Sequence, residues 1–287
     1  MAMIRKFAPQ LLKILPDALG YRLLLSLTGA TQEVPLSVPE QQALSASRPV
    51  RFGADGANTA WEWGTGPLVI LIHGWGGRGA QMAPLAASLA AQGYRCVAPD
   101  ITGHGDASKH HTRWNYFLRD IEALTHALQS EVLAFVGHSA GGMTMMAVRR
   151  HRRIKARCYV CICAPSYPFP PLNRVRQLLN PGDGVMERYK DYLGREFDIS
   201  WPVLERGESY AAAGADLLLV YDERDRFVPH SEGDRIHALC PGSTLIKTRD
   251  YSHQRILTAP ELPNHIGRFF AGHQAGAQMR DRAGSAR

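Results

Sequence analysis

A serine sits between two glycines at Gly137-His138-Ser139-Ala140-Gly141. A serine hydroxyl is a weak nucleophile until a base takes its proton, and the base must itself be oriented, usually by an acid. Both groups occur downstream. The stretch DERDRFVP offers Asp222 and Asp225 as acids, with Glu223 a weaker third, and TRDYSHQRIL offers His253 as the base. Attack on an acyl carbon also needs N–H donors for the oxyanion that forms. His73-Gly74-Trp75-Gly76-Gly77 can supply them, because its glycines let the backbone turn its N–H groups inward. The expected donors are the backbone N–H groups of Trp75 and Ala140.

These residues need a rigid frame. Pro67-Leu68-Val69-Ile70-Leu71-Ile72 is an unbroken apolar run that suits a strand buried on both faces, ending at the His73 loop. Further strands are predicted at 94–99, 132–136, 158–163, 217–221 and 243–247. A hairpin is predicted from 50–53 and 59–63, turning at Asp55-Gly56. After the 67–72 strand a helix is expected to about 92, and others from about 114 to 129 and 139 to 150, with a last one near 253–270. Strands alternating with helices indicate an α/β fold with a parallel sheet covered on both faces. Ser139, the acids and His253 each follow a strand. That order puts them along one sheet edge, where open α/β proteins bind ligands.

Residues 165–214 break the rhythm. They carry no strand signal and hold several prolines, with short helices expected near 172–179 and 185–196. Fifty residues are too many for an ordinary connection. They read as a small helical cap inserted between core segments 49–164 and 215–272. Met186 and Tyr189 fall at helical spacing and either pack on the body or wall a pocket. Residues 1–48 read as amphipathic helices followed by a polar linker from about 31, and 273–287 as a flexible tail.

With these pieces in place, the chain resembles the α/β-hydrolases, close to bacterial serine esterases with a His-Gly-Trp-Gly-type oxyanion loop. The matching motifs are His73-Gly74-Trp75-Gly76, Asp100-Ile101-Thr102-Gly103-His104-Gly105, Gly137-His138-Ser139-Ala140-Gly141, Asp225-Arg226-Phe227-Val228-Pro229 and Ser252-His253. They span about residues 60 to 270. Thr102 departs from the pattern, since proline is commoner there. The resemblance implies the α/β-hydrolase fold, with a mostly parallel sheet, helices on both faces and a small cap. It selects Asp225, which opens the Asp-x-x-Val-Pro stretch, over Asp222. It further implies that Ser139 is the nucleophile, His253 the base and a short- or medium-chain carboxylic ester the small-molecule substrate. Cleavage of a carbon–carbon bond, a thioester or a lactone is the alternative on the same three residues. A non-catalytic ligand receptor on this scaffold is a further class. His138 stands at a variable position of the family and is expected in the pocket or in packing, with Met143, Met186 and Tyr189 as other pocket candidates. No cofactor is expected.

Composition narrows the partners. A net charge of +7 permits contact with acidic surfaces. The densest basic run, from Arg149 to Arg157, has no interleaved aromatics, so a solvated helix end is expected rather than nucleic-acid binding. Five cysteines lack disulfide-framework spacing and fit free thiols in a reducing, cytoplasmic setting. No metal site is expected. The N-terminus is interrupted by Pro9, Lys13, Pro16, Asp17 and Arg22, too often for a membrane span. It leaves room for shallow contact with a membrane surface. His104 is expected to pack near the site, and His110 and His111 to lie on the surface. The sequence is silent on oligomeric state.

Overall fold

The computed structural model describes residues 2–31, 35–107 and 111–284. Its centre is an eight-stranded sheet in the order β1-β2-β4-β3-β5-β6-β7-β8. The strands are β1 Arg48–Phe52, β2 Asn58–Trp63, β3 Leu68–Ile72, β4 Arg95–Pro99, β5 Val132–His138, β6 Cys158–Ile162, β7 Leu217–Asp222 and β8 Thr244–Thr248. β1 and β2 form the expected hairpin, and β2 joins β4 antiparallel. Every later pairing is parallel.

The apolar runs explain the layering. β3, β5 and β6 are buried along their whole lengths, so side chains on both faces leave water. Each fully buried Val, Leu or Ile contributes about 1.5–3 kcal/mol in this setting. Two buried clusters result, one on each face of the sheet. One contains Ile70, Phe117, Phe135 and Met143, and the other Val69, Leu89, Val136 and Phe270. Helices α4 Gly79–Ala90, α5 Trp114–Leu128, α6 Ala140–Ala147 and α12 Leu262–Gly284 cover these faces.

Several boundaries differ from the sequence reading. The linker contains α3, Val38–Ser45. Ser37 and Glu40 cap it reciprocally, with Ser37 N–H and Oγ–H both donating to Glu40 Oε2 at 2.7 Å. That Ser-x-x-Glu signal was legible. Between β7 and β8 lies α10, Ser231–Leu239, for which no helix was expected. α12 continues to Gly284, through residues assigned to the tail. The basic segment after α6 forms a wide turn, Val148–Arg152.

The segment 165–214 carries α7 Phe169–Leu179, α8 Asp183–Glu196 and the short α9 Trp201–Glu205. The N-terminal helices α1 Ala2–Ile14 and α2 Asp17–Thr28 pack against it, α1 on α7 and α2 on α8. Gly20 allows the close approach, since a Cβ there would meet Val185 Cγ2 at 3.0 Å. Ile14 and Leu19, at the α1–α2 turn, are exposed. Among the described residues, no helix is long and apolar enough to cross a membrane.

Candidate functional site

Ser139 occupies the turn between β5 and α6 with φ 52° and ψ −120°. A non-glycine residue held at positive φ costs about 1–3 kcal/mol, so the surroundings must impose it. They do: Ser139 N–H donates to Ile162 O at 2.9 Å, and α6 begins at the next residue. The flanking glycines are steric requirements. A Cβ on Gly137 would lie 2.5 Å from Gly142 Cα, and one on Gly141 would lie 2.4 Å from Ile72 O.

His253 stands on the short helix α11, Ser252–Arg255, beyond β8. Its Nε2 lies 3.0 Å from Ser139 Oγ, and its Nδ1 lies 2.6 Å from Asp225 Oδ2. With Nδ1–H donating to Asp225, Nε2 faces the serine as an acceptor. Asp225 Oδ1 accepts the N–H groups of Phe227 at 2.8 Å and Val228 at 2.9 Å. Burial works against the Asp225 carboxylate. The His253 ring and the two N–H groups outweigh it and hold the pKa below the usual range.

Asp222 has a different place. It is fully buried and accepts four hydrogen bonds, from Arg224 N–H, Thr248 Oγ1–H, Tyr251 N–H and Ser252 N–H, at 2.7–3.0 Å. Burial opposes its charge, but these donors bring its pKa down to about 2. The acid that meets His253 is therefore Asp225, while Asp222 anchors the loop that presents His253.

His138 is buried, and its Nε2–H donates to the His253 carbonyl at 2.7 Å. Its ring lies 4.8 Å from the His253 ring. Burial and the neighbouring His253 pull its pKa down to about 3, which keeps it neutral. This histidine holds the His253 backbone in place. Phe227, which the sequence reading did not single out, stays exposed with its ring 5.4 Å from that of His253.

The loop after β3 reaches the serine from the other side. A Cβ on Gly74 would stand 3.1 Å from Ser139 Cβ. Gly76 N–H donates to His104 Nε2 at 3.0 Å, and Gly77 N–H to Gly74 O at 3.0 Å. Among the described residues, no hydrogen bond takes the Trp75 N–H. Ala140 N–H is the first of α6 and has no partner inside the helix. The Trp75 ring packs on Trp114 at 4.7 Å and stacks on Phe117 at 5.9 Å, and the His104 ring lies edge-on to Phe117. Nothing in the spacing of Trp114 and Phe117 pointed to this support, which depends on how α5 crosses the sheet.

The other pocket candidates are buried in the cluster that α5, α6 and the helices of 165–214 share. Met143 lies inside α6, and Met186 and Tyr189 lie on α8, which packs on α2. His111 is exposed, while His110 lies outside the described residues. The basic run is engaged within the chain. Arg149 donates to Ala211 O and Ala212 O, Arg150 pairs with Glu208 at 2.7 Å and Arg152 with Asp198 at 2.6 Å.

All five cysteines are free and buried. Cys163 lies beside Asp225 and His253, with ligand-type atoms of the three within 4.8 Å of one another. A metal needs a thiolate, and burial pushes the Cys163 thiol well above its usual pKa. His253 Nδ1 and Asp225 are bonded to each other. The cluster fits a packed, protonated thiol.

Residues 67–194 match the family model described as alpha/beta hydrolase fold. Together with the sheet order and the serine turn already described, this match shows the α/β-hydrolase fold. Est1E from Butyrivibrio proteoclasticus, solved with ferulic acid bound, superposes with a TM-score of 0.64 at 17% identity, over 79% of this chain and 99% of that one. A membrane phospholipase A described as a bacterial virulence factor gives a TM-score of 0.60 at 19% identity, over 95% and 94% of the two chains. The non-heme chloroperoxidase CPO-A1 of Kitasatospora aureofaciens is 30% identical over 135 residues, 46% of this chain and 47% of that protein. The chain spans between 25% and 47% of the length of the curated relatives it matches.

Proposed function

We propose that the protein is a serine hydrolase that cleaves carboxylic esters of short or medium acyl chain through an acyl-enzyme. The observation that carries this reading is the unbroken run of contacts from Ser139 Oγ through His253 to Asp225, at 3.0 and 2.6 Å. Ser139 Oγ attacks the ester carbon as its proton passes to His253 Nε2. Asp225 keeps the imidazole in the tautomer that accepts this proton and stabilises the resulting imidazolium. The carbonyl oxygen, now an anion, takes the N–H groups of Trp75 and Ala140, aided by the positive end of the α6 dipole. His253 then protonates the leaving alcohol as the tetrahedral species collapses. In the second half, His253 takes a proton from water, hydroxide attacks the acyl carbon, and Ser139 leaves with its proton restored.

The test is a panel of p-nitrophenyl esters of rising acyl length, with Ser139→Ala beside the wild type. Turnover should peak at short or medium chains. The substitution should lower kcat by about 10⁴-fold or more without loss of fold. A wild type that ignores every ester yet reacts with a fluorophosphonate would sink the ester reading and keep the nucleophile. Thioesters, lactones and carbon–carbon bonds would then be the substrates to try.

A further inference from the structure

We infer that the seam between the N-terminal helices and the cap holds a second binding site, for a small anion with an aromatic or apolar body. A cavity of about 370 Å³ opens there. Its walls come from three separate segments: Tyr21 and Ser26 of α2, His111 and Arg113 ahead of α5, and Tyr192 and Arg195 of α8. The volume lies within the range of small-molecule sites, about 300–1,000 Å³.

The charge of the lining is one-sided. Two guanidinium groups face the space, and among the described residues no carboxylate lines it. Glu196, the partner of Arg113, is buried. It accepts Arg113 through Oε1 and Asn115 N–H through Oε2 at 3.0 Å, which leaves the Arg113 side chain still 46% exposed. Arg195 is exposed, and its contact with Tyr21 Oη is long, at 3.4 Å. Guanidinium forks recognise carboxylate and phosphate oxygens in pairs. The hydroxyls of Ser26 and Tyr21 add neutral donors.

The remaining wall is apolar. The Tyr21 and Tyr192 rings meet edge-on at 6.4 Å beside Leu25, and Arg113 lies 5.7 Å from the centre of the Tyr192 ring. An aryl or short alkyl group can lie against this aromatic wall. The walls are also fixed to one another. Ala30 and His111 form an antiparallel bridge, and Thr112 N–H donates to Gly29 O at 2.8 Å. A Cβ at position 29 would fall 2.2 Å from His111 Cε1, so Gly29 makes room for that imidazole.

This site is distinct from Ser139, and its test does not depend on the esterase reading. Phenyl phosphate, inorganic phosphate and benzyl alcohol are titrated calorimetrically into the full chain and into Arg195→Met. Phenyl phosphate should bind saturably at one site, and the substitution should weaken it about tenfold or more, the scale of a lost charge-assisted contact. Benzyl alcohol should not bind over the same range, inorganic phosphate should bind more weakly, and ester turnover of the variant should be unchanged. Absence of saturable binding, or equal binding by the two proteins, would overturn the site. So would displacement by a phosphonate attached to Ser139. Equal affinity for inorganic phosphate would overturn the aromatic body.

Discussion

At the scale of single residues, two aspartates three positions apart have been given opposite work. Asp225 directs one oxygen to His253 and the other to two backbone N–H groups, so its carboxylate is both held and aimed. Asp222 spends its oxygens on its own loop and on the turn before His253. Their substitutions should therefore separate. Asp225→Asn should keep the melting temperature and lower ester kcat by about 10⁴-fold, because the amide favours the wrong imidazole tautomer. Asp222→Asn should cost stability, about 1–3 kcal/mol, since a buried amide N–H₂ would face donors, with a smaller loss of kcat. Reversed effects in denaturant melts and rate assays would exchange the two roles. Sequence alone left both acids open, and only the resemblance chose between them.

Among the elements, the turn from β5 into α6 is the most tightly specified. Ser139 is strained, and its glycine neighbours let β3, β5 and α6 meet backbone to backbone. Gly141→Ala would press a methyl group against the carbonyls of Ile72 and His73. It should destabilise the fold by about 2 kcal/mol or more and move the glycine-rich loop after β3. A variant with wild-type melting temperature and wild-type rate would contradict that account. The buried strands were legible because they are uninterrupted apolar runs. The linker helix was missed although Ser37 and Glu40 announce it, and α10 was missed because its buried face is narrow, with Gly233 and Ile236 buried. Tertiary contact, more than local propensity, supports such helices.

On the scale of the whole molecule, three buried histidines make stability depend on pH. His73 opens the glycine-rich loop after β3 and accepts Ile101 N–H, His104 accepts Gly76 N–H of that loop, and His138 holds the His253 carbonyl. Burial first, then neighbouring rings or charges where present, lowers their pKa values: His104 to about 4, His138 to about 3 and His73 well below its usual range. The unfolded chain protonates these groups below about pH 6.5 while the folded chain does not, so the unfolded state binds more protons. Stability is therefore full above that pH and falls as pH drops toward the folded values, by about 2 kcal/mol per histidine at pH 5. Asp100 and Asp120, whose carboxyls burial pushes up, act in the opposite sense at lower pH. Urea melts at pH 7.5 and pH 5 measure the difference. An unchanged midpoint would mean that these rings are protonated in the native state.

The sequence determined the strand series, the αβ alternation, the strand-free helical segment 165–214 and the positions of Ser139, His253 and the glycine-rich loop after β3. Those features are written in local patterns: apolar runs, glycines at a sharp turn and polar residues just past strand ends. The tertiary structure decided what depends on distant segments meeting. It set Asp225 against His253 across 28 positions and His138 against the His253 carbonyl across 115. It laid Trp114 on Trp75, packed Met186 and Tyr189 in the core cluster with α8 against α2, and brought two arginines to the α2–α8 seam. Such contacts arise from how sheet and helices close around one another, and periodicity along the chain carries no record of them.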